Sequence, residues 1–125
     1  MTIAQAIELV NRLVPNQVSD TDKVDWLNDL DLHIYKTIIS AHCMPDMYPS
    51  EFNGYSESTD PETILLVPTP FDELYRWYLE MHIHGANGET ARYNGAAEKY
   101  NSSMQNYMDY INRNYPSKGR RVRWW

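Results

Sequence analysis

Apolar residues recur three and four positions apart along most of the chain, which is the spacing of one buried face of an α-helix. The first such stretch covers residues 2–14 and is closed by Pro15. A second stretch follows Ser19, whose hydroxyl suits an N-cap, and we expect this helix to end near His42 or Cys43. The first third of the chain therefore predicts a pair of helices.

The second half of the chain predicts two more helices. Thr69 is expected to be the N-cap of the third helix, with Asp72 at the capping-box position. Residues 84–88 contain two glycines, each of which disfavours a helix interior, so a break or a kink is predicted there. A heptad-like apolar spacing from Tyr93 onward predicts a final helix that ends near Asn114.

Turn-forming residues dominate positions 44–67, and this segment ends in a short apolar run that favours a β-strand. The whole pattern predicts an all-α fold. It consists of a small bundle of three to four helices, a long Pro-rich middle loop with one or two short strands, and an extended C-terminal tail. We assign residues 1–116 to a helical domain and residues 117–125 to a basic aromatic tail.

The apolar run has few partners for a sheet within this chain, so a neighbouring subunit is expected to complete its edge. Trp77 lies off the apolar stripe of the third helix and is assigned to the same kind of contact. The predicted subunit interface consists of Ile64, Leu65, Leu66, Val67 and Trp77.

Charge is distributed unevenly, although the net charge of the 125 residues is only −6. Four of the eleven basic residues lie in positions 118–125, so residues 1–117 carry seven basic and seventeen acidic groups, a formal charge of −10. Duplex binding draws most of its affinity from Lys and Arg on phosphates. An acidic body with a basic tail therefore argues against a domain that grips nucleic acid.

Candidate chemistry is sparse. The four histidines lack the spacing of metal ligands, and no nucleophile elbow or phosphate-binding loop occurs, so we predict no enzyme activity, no metal and no cofactor. The single cysteine, Cys43, excludes a disulfide within the chain and favours synthesis in a reducing cytoplasm. No signal peptide or membrane-spanning run is present, so we expect a soluble protein without membrane contact.

The ten tyrosines and four tryptophans admit two interpretations. A tyrosine stripe on a helix is typical of a core, whereas Tyr, Trp and Arg together are typical of an interface. For the tail the alternatives are a disordered basic end, contact with nucleic acid, or docking on a protein partner. Docking is favoured because Arg and Trp are common hot-spot residues, and the tail contains Arg120, Arg121, Arg123, Trp124 and Trp125.

One segment resembles a known family. VPTPFDELY at residues 67–75 is followed by ANGE at 86–89, YN at 93–94 and an aromatic-rich final helix. In this respect the chain is similar to the small head-tail connector, or head-completion adaptor, proteins of tailed bacteriophages and prophages of Gram-positive bacteria. The resemblance covers about half of the chain well and the first half by pattern.

The resemblance implies a structural virion protein that forms a ring, expected to be dodecameric, below the portal protein. The ring would lie in the neck of the virion, contact the next tail or stopper protein, and let DNA pass without sequence-specific binding. The basic tail would dock on the portal, and carboxylates would line the channel, with residues 20–31, Glu51, Glu57, Asp60 and Glu62 as candidates. The alternative is a small antitoxin-like regulatory module that recruits a partner through its basic tail.

Overall fold

The computed structural model describes residues 1–45 and 48–117. Helices dominate this part of the chain and no sheet is present in it, which confirms the all-α fold class. The four α-helices are α1 Ile3–Leu13, α2 Asp20–Ile34, α3 Glu73–Ala86 and α4 Thr90–Asn114, and a π-helical turn at Tyr35–Ile39 continues α2.

Helix α1 starts with a reciprocal capping box, which the apolar pattern alone did not reveal. The Thr2 hydroxyl accepts from the backbone N–H of Gln5 at 3.1 Å, and the Gln5 side-chain oxygen accepts from the backbone N–H of Thr2 at 2.9 Å. Two otherwise unpaired backbone donors are thereby satisfied. The helix buries one face, formed by Ile3, Ala6, Ile7 and Val10.

Helix α2 begins as predicted, because the Ser19 hydroxyl accepts a hydrogen bond from the Asp22 N–H at 3.1 Å. The helical conformation ends at Ile39, three to four residues before the predicted end near His42 or Cys43. In the π-helical turn the N–H of Ser40 donates to the carbonyl oxygen of Tyr35 at 2.8 Å. This wider turn brings Ile38 and Ile39, consecutive in sequence, both into the core.

Helix α3 starts later than predicted, and the assignment of Thr69 as its N-cap was wrong. The Thr69 hydroxyl donates to the Asp72 carboxylate at 2.9 Å, and Asp72 itself precedes the first helical residue. The predicted break after α3 is confirmed: the helix ends at Ala86, and Gly88 adopts a φ of 74°, which suits glycine.

Helices α3 and α4 are joined by three residues and make the most extensive contact between any two elements in the described chain. Helix α1 packs against both α2 and α3. The predicted stripe of α4 is correct in its C-terminal half, where Tyr107 and Ile111 are fully buried, whereas Tyr93 is exposed. The centre of the core consists of Val10, Leu27, Ile34, Leu74, Tyr75, Leu79, Ile83, Tyr107 and Ile111.

The short strands predicted for the middle loop are not formed in the described residues. Isolated bridges join Thr2 to Ile64 and His42 to Ser117, and neither extends into a ladder. The pairing stops at the Thr2–Ile64 bridge because the amides of Leu66 and Val67 bind side chains instead of a second strand. Leu65 donates its N–H to the Met1 carbonyl at 2.9 Å, and the next two amides bind side chains described below.

Candidate interaction surfaces

A buried carboxylate ties the middle loop to two helices. Asp31 of α2 is fully buried and accepts the hydroxyl protons of Tyr55 and Tyr75, each at 2.6 Å. It also accepts the Leu66 N–H at 3.1 Å, while the Val67 N–H donates to the Tyr75 hydroxyl at 2.9 Å. We call these five residues the Asp31 network. Every hydrogen bond in it joins residues at least eight positions apart.

Burial raises the pKa of Asp31 above its ordinary value of 3.8, and the three hydrogen bonds that it accepts oppose this rise. Burial and the adjacent carboxylate raise the pKa of both Tyr55 and Tyr75, so both hydroxyls remain protonated donors. Asp31 had been included among the acids expected to face a DNA channel. That assignment was wrong, because its side chain is enclosed by the protein's own core.

The other candidate channel acids are exposed. Those on α2 lie on its solvent side, and those of the middle segment lie in turns that the core leaves uncovered. The exposed acids are Asp20, Asp22, Asp25, Asp29, Glu51, Glu57, Asp60 and Glu62. The surface built by α2 and the middle segment is therefore strongly negative, as the charge distribution of the sequence predicts.

A groove runs between α1, α2 and residues 56–61, with a volume of about 460 Å³. Its apolar lining includes Ile7 and Val24, and its carboxylates are Glu8, Asp20 and Glu57. All three carboxylates belong to exposed residues. We call this feature the acidic groove.

Lys23 pairs with one carboxylate of the groove, Asp20, and leaves Glu8 and Glu57 without an ion pair among the described residues. Lys23 is only 1% exposed, and its ammonium group donates to the side-chain oxygens of Asn11 at 2.6 Å and Asn16 at 2.8 Å. A third bond reaches the Val18 carbonyl at 3.0 Å, and Asp20 lies 3.6 Å away. Lys23 thus fixes the connection between α1 and α2 and uses all three of its protons inside the protein.

Three of the five residues predicted for a subunit interface are instead buried or half-buried within this chain. Leu65 and Val67 are buried in this chain's own core, so they are not available to a neighbouring subunit. Leu66 is half-buried, and its N–H is already bonded to Asp31. Ile64 is 72% exposed and remains a candidate contact with a neighbour.

Trp77 is half-buried on α3 and lies between two cations. The guanidinium carbon of Arg76 is 4.2 Å from the centre of its ring, and the Lys99 ammonium is 4.5 Å from it. Both distances are within the range of cation-π attraction. Trp77 therefore presents an amphipathic surface on the α3–α4 hairpin. The cavity beside Trp77 shares no lining residue with the acidic groove.

The described chain ends at a defined position on the body. The carbonyl of Pro116 accepts the N–H of Cys43 at 2.9 Å, and His42 and Ser117 form an isolated bridge. His42 is buried, with Nδ1 2.7 Å from the Ile38 carbonyl oxygen, whereas Cys43 is exposed rather than part of the core. The predicted portal-binding residues, Arg120, Arg121, Arg123, Trp124 and Trp125, lie outside the described residues.

The remaining histidines have ordinary surroundings. His82 stacks on Trp26 with ring centres 4.9 Å apart, and burial lowers its pKa below 6.5. His84 Nδ1 lies 3.1 Å from a carboxylate oxygen of Glu89, and His33 is exposed. Within residues 1–45 and 48–117, no three His, Cys, Asp or Glu side chains are grouped so that they could hold a metal ion.

The sequence prediction missed Asp31 and Lys23, although both leave a signal. Each polar residue interrupts the apolar face of α2, since Lys23 is four positions before Leu27, and Asp31 is four positions after it. A charged residue at a core position of a helix indicates a buried polar network. The partners of that network come from distant segments, and spacing within one helix does not identify them.

Comparison with protein-family models, with curated proteins and with solved structures found no match to this chain. None of the helices in the part of the chain that the structure describes combines the length and the apolar character that crossing a bilayer demands.

Proposed function

We propose that this protein is a head-tail connector of a tailed bacteriophage, which assembles as a ring below the portal in the neck of the virion. In that role it joins the capsid to the tail and surrounds the channel through which DNA passes. It acts by assembly and carries out no chemical reaction.

The observation that carries this proposal is the segment VPTPFDELY at residues 67–75, on which the resemblance to connectors depends. Its first and last residues, Val67 and Tyr75, are hydrogen bonded to each other and belong to the Asp31 network. The resemblance therefore falls on residues that determine how the middle loop packs on the helices. Such residues are informative about the fold, which supports a helical connector of the same kind.

The charge of the body supports a channel role. Exposed carboxylates on α2 and the middle segment repel phosphate, so a ring with this surface inside would let DNA slide without retaining it. The expected partners are further copies of this chain, the portal protein on one side and the next tail or stopper protein on the other. Docking of the basic tail on the portal stays a prediction, based on its composition.

The test is a cryo-electron microscopy reconstruction of the protein mixed with the portal protein of the same phage, with the protein alone as a control. We expect a ring of this chain below the portal, with the acidic surface of α2 toward the channel. Absence of ring density with the portal present would contradict the proposal. A fixed dimer in solution that ignores the portal would instead favour the antitoxin-like binding module.

A further inference from the structure

The acidic groove combines two properties that match one segment of this chain. Its aliphatic lining suits large aromatic side chains, and its rim carries Glu8, Asp20 and Glu57. Residues 118–125 contain four basic residues and end in two tryptophans. We propose that the acidic groove of one copy receives the basic tail, residues 117–125, of a neighbouring copy.

Charge complementarity favours this occupant over a neutral apolar segment. Glu8 and Glu57 form no ion pair with other residues that the structure describes. Lys23 lies 3.6 Å from Asp20 and is already bonded to Asn11 and Asn16. The groove thus offers unneutralised carboxylates beside apolar surface. Arginine binds carboxylates in a planar, two-pronged geometry, and tryptophan buries a large area while keeping a polar N–H.

The position of Ser117 favours a neighbouring copy over the same chain. Ser117 is bridged to His42, whose N–H donates to the carbonyl of Ile39 at the end of the π-helical turn. Measured from Ile39 at 1.5 Å per residue, the helix extends about 22 Å to Val24 and about 28 Å to Asp20, both of which line the groove. Eight fully extended residues span at most about 26–29 Å. The tail of the same chain would reach the groove with only its last residue or two, so it cannot lie along it.

A tail that leaves one copy and enters the groove of the next makes a head-to-tail contact. Contacts of this kind generate rings when the rotation between copies closes, and open chains when it does not. This inference deepens the proposed connector role and rests on it for ring closure. It also gives the tail a receptor within the ring that competes with docking on the portal.

The test uses two full-length variants. The groove variant is Glu8→Lys with Glu57→Lys, and the tail variant is Arg120→Ala with Arg121→Ala. Association is measured by sedimentation up to about 1 mM protein, a concentration at which even millimolar contacts are half formed. Asp25→Lys with Glu51→Lys is the matched control, because it changes the net charge equally at exposed residues outside the groove.

We expect each variant alone to associate at least ten-fold more weakly than the parent protein, and the control to associate like the parent. An equimolar mixture of the two variants should form a complex that stops at two chains, because only one native tail and one native groove remain to pair. High salt should weaken that complex. No complex in the mixture, with both variants folded by circular dichroism, would overturn the inference.

The inference and the connector role fail separately in these experiments. A ring on the portal that both variants still form would overturn the groove assignment and leave the connector role intact, with the portal as the receptor of the tail. A two-chain complex in the mixture without any binding to the portal would support the groove assignment. That result would count against the connector.

Discussion

Replacing Tyr75 by Phe removes a single oxygen atom and keeps the buried ring. In the native protein this oxygen donates to Asp31 and accepts from the Val67 N–H. Both partners are enclosed, so the substitution leaves one carboxylate oxygen and one amide without a partner. At about 1–3 kcal/mol for each of these two unsatisfied buried groups, we expect Tyr75→Phe to lower the free energy of unfolding by about 2–6 kcal/mol.

The assay is urea denaturation followed by tryptophan fluorescence, which yields the free energy of unfolding for each variant. The matched control is Tyr100→Phe. Tyr100 is half-buried, burial raises its pKa to about 12, and its hydroxyl makes no hydrogen bond with the described residues. We expect a change within about 0.5 kcal/mol for this control. Equal losses for the two variants would refute the assignment of a stabilising role to the Asp31 network.

Three further predictions concern other parts of the molecule. Lys23→Met should lower the free energy of unfolding in urea titrations by about 1–3 kcal/mol, because the oxygens of Asn11, Asn16 and Val18 lose their donor. The control, Lys36→Met at an exposed lysine, should have no comparable effect. Ile64→Asp should leave the free energy of unfolding within about 0.5 kcal/mol but reduce formation of the proposed ring on the portal, unlike Met108→Asp at another exposed apolar residue. Equal ring yields for the two variants would exclude Ile64 from the interface. The third prediction is that the melting temperature falls as the pH drops below 6.5. Burial lowers the pKa of His82 in the folded state, so the unfolded chain binds more protons in this pH range. The same dependence of melting temperature on pH in His82→Phe would contradict this explanation.

The helices could be predicted from the sequence because their signals are local. The Ser19 cap of α2, the break at Gly88 and the end of α4 at Asn114 all depend on residues within one or two turns. The start of α3 was misplaced because Thr69 also resembles a cap. Its hydroxyl instead donates to Asp72, a choice that propensity does not determine.

The middle segment could not be predicted, because its backbone partners come from distant parts of the chain. The apolar run at residues 64–67 has the composition of a strand, yet its amides bind Met1, Asp31 and Tyr75. The acidic groove could not be predicted from the sequence either. Glu8 and Glu57 are 49 positions apart in the sequence and meet only after α1 and the middle segment pack together.

The Asp31 network also bears on how the molecule moves. Leu66 and Val67 lie outside any helix, yet their amides are bonded to buried side chains, so their hydrogen exchange should require opening of the core rather than local fraying. The described part of the middle segment around these residues is therefore a rigid element and not a hinge. In the proposed ring, any change in diameter would then come from sliding between copies, while each subunit keeps its shape.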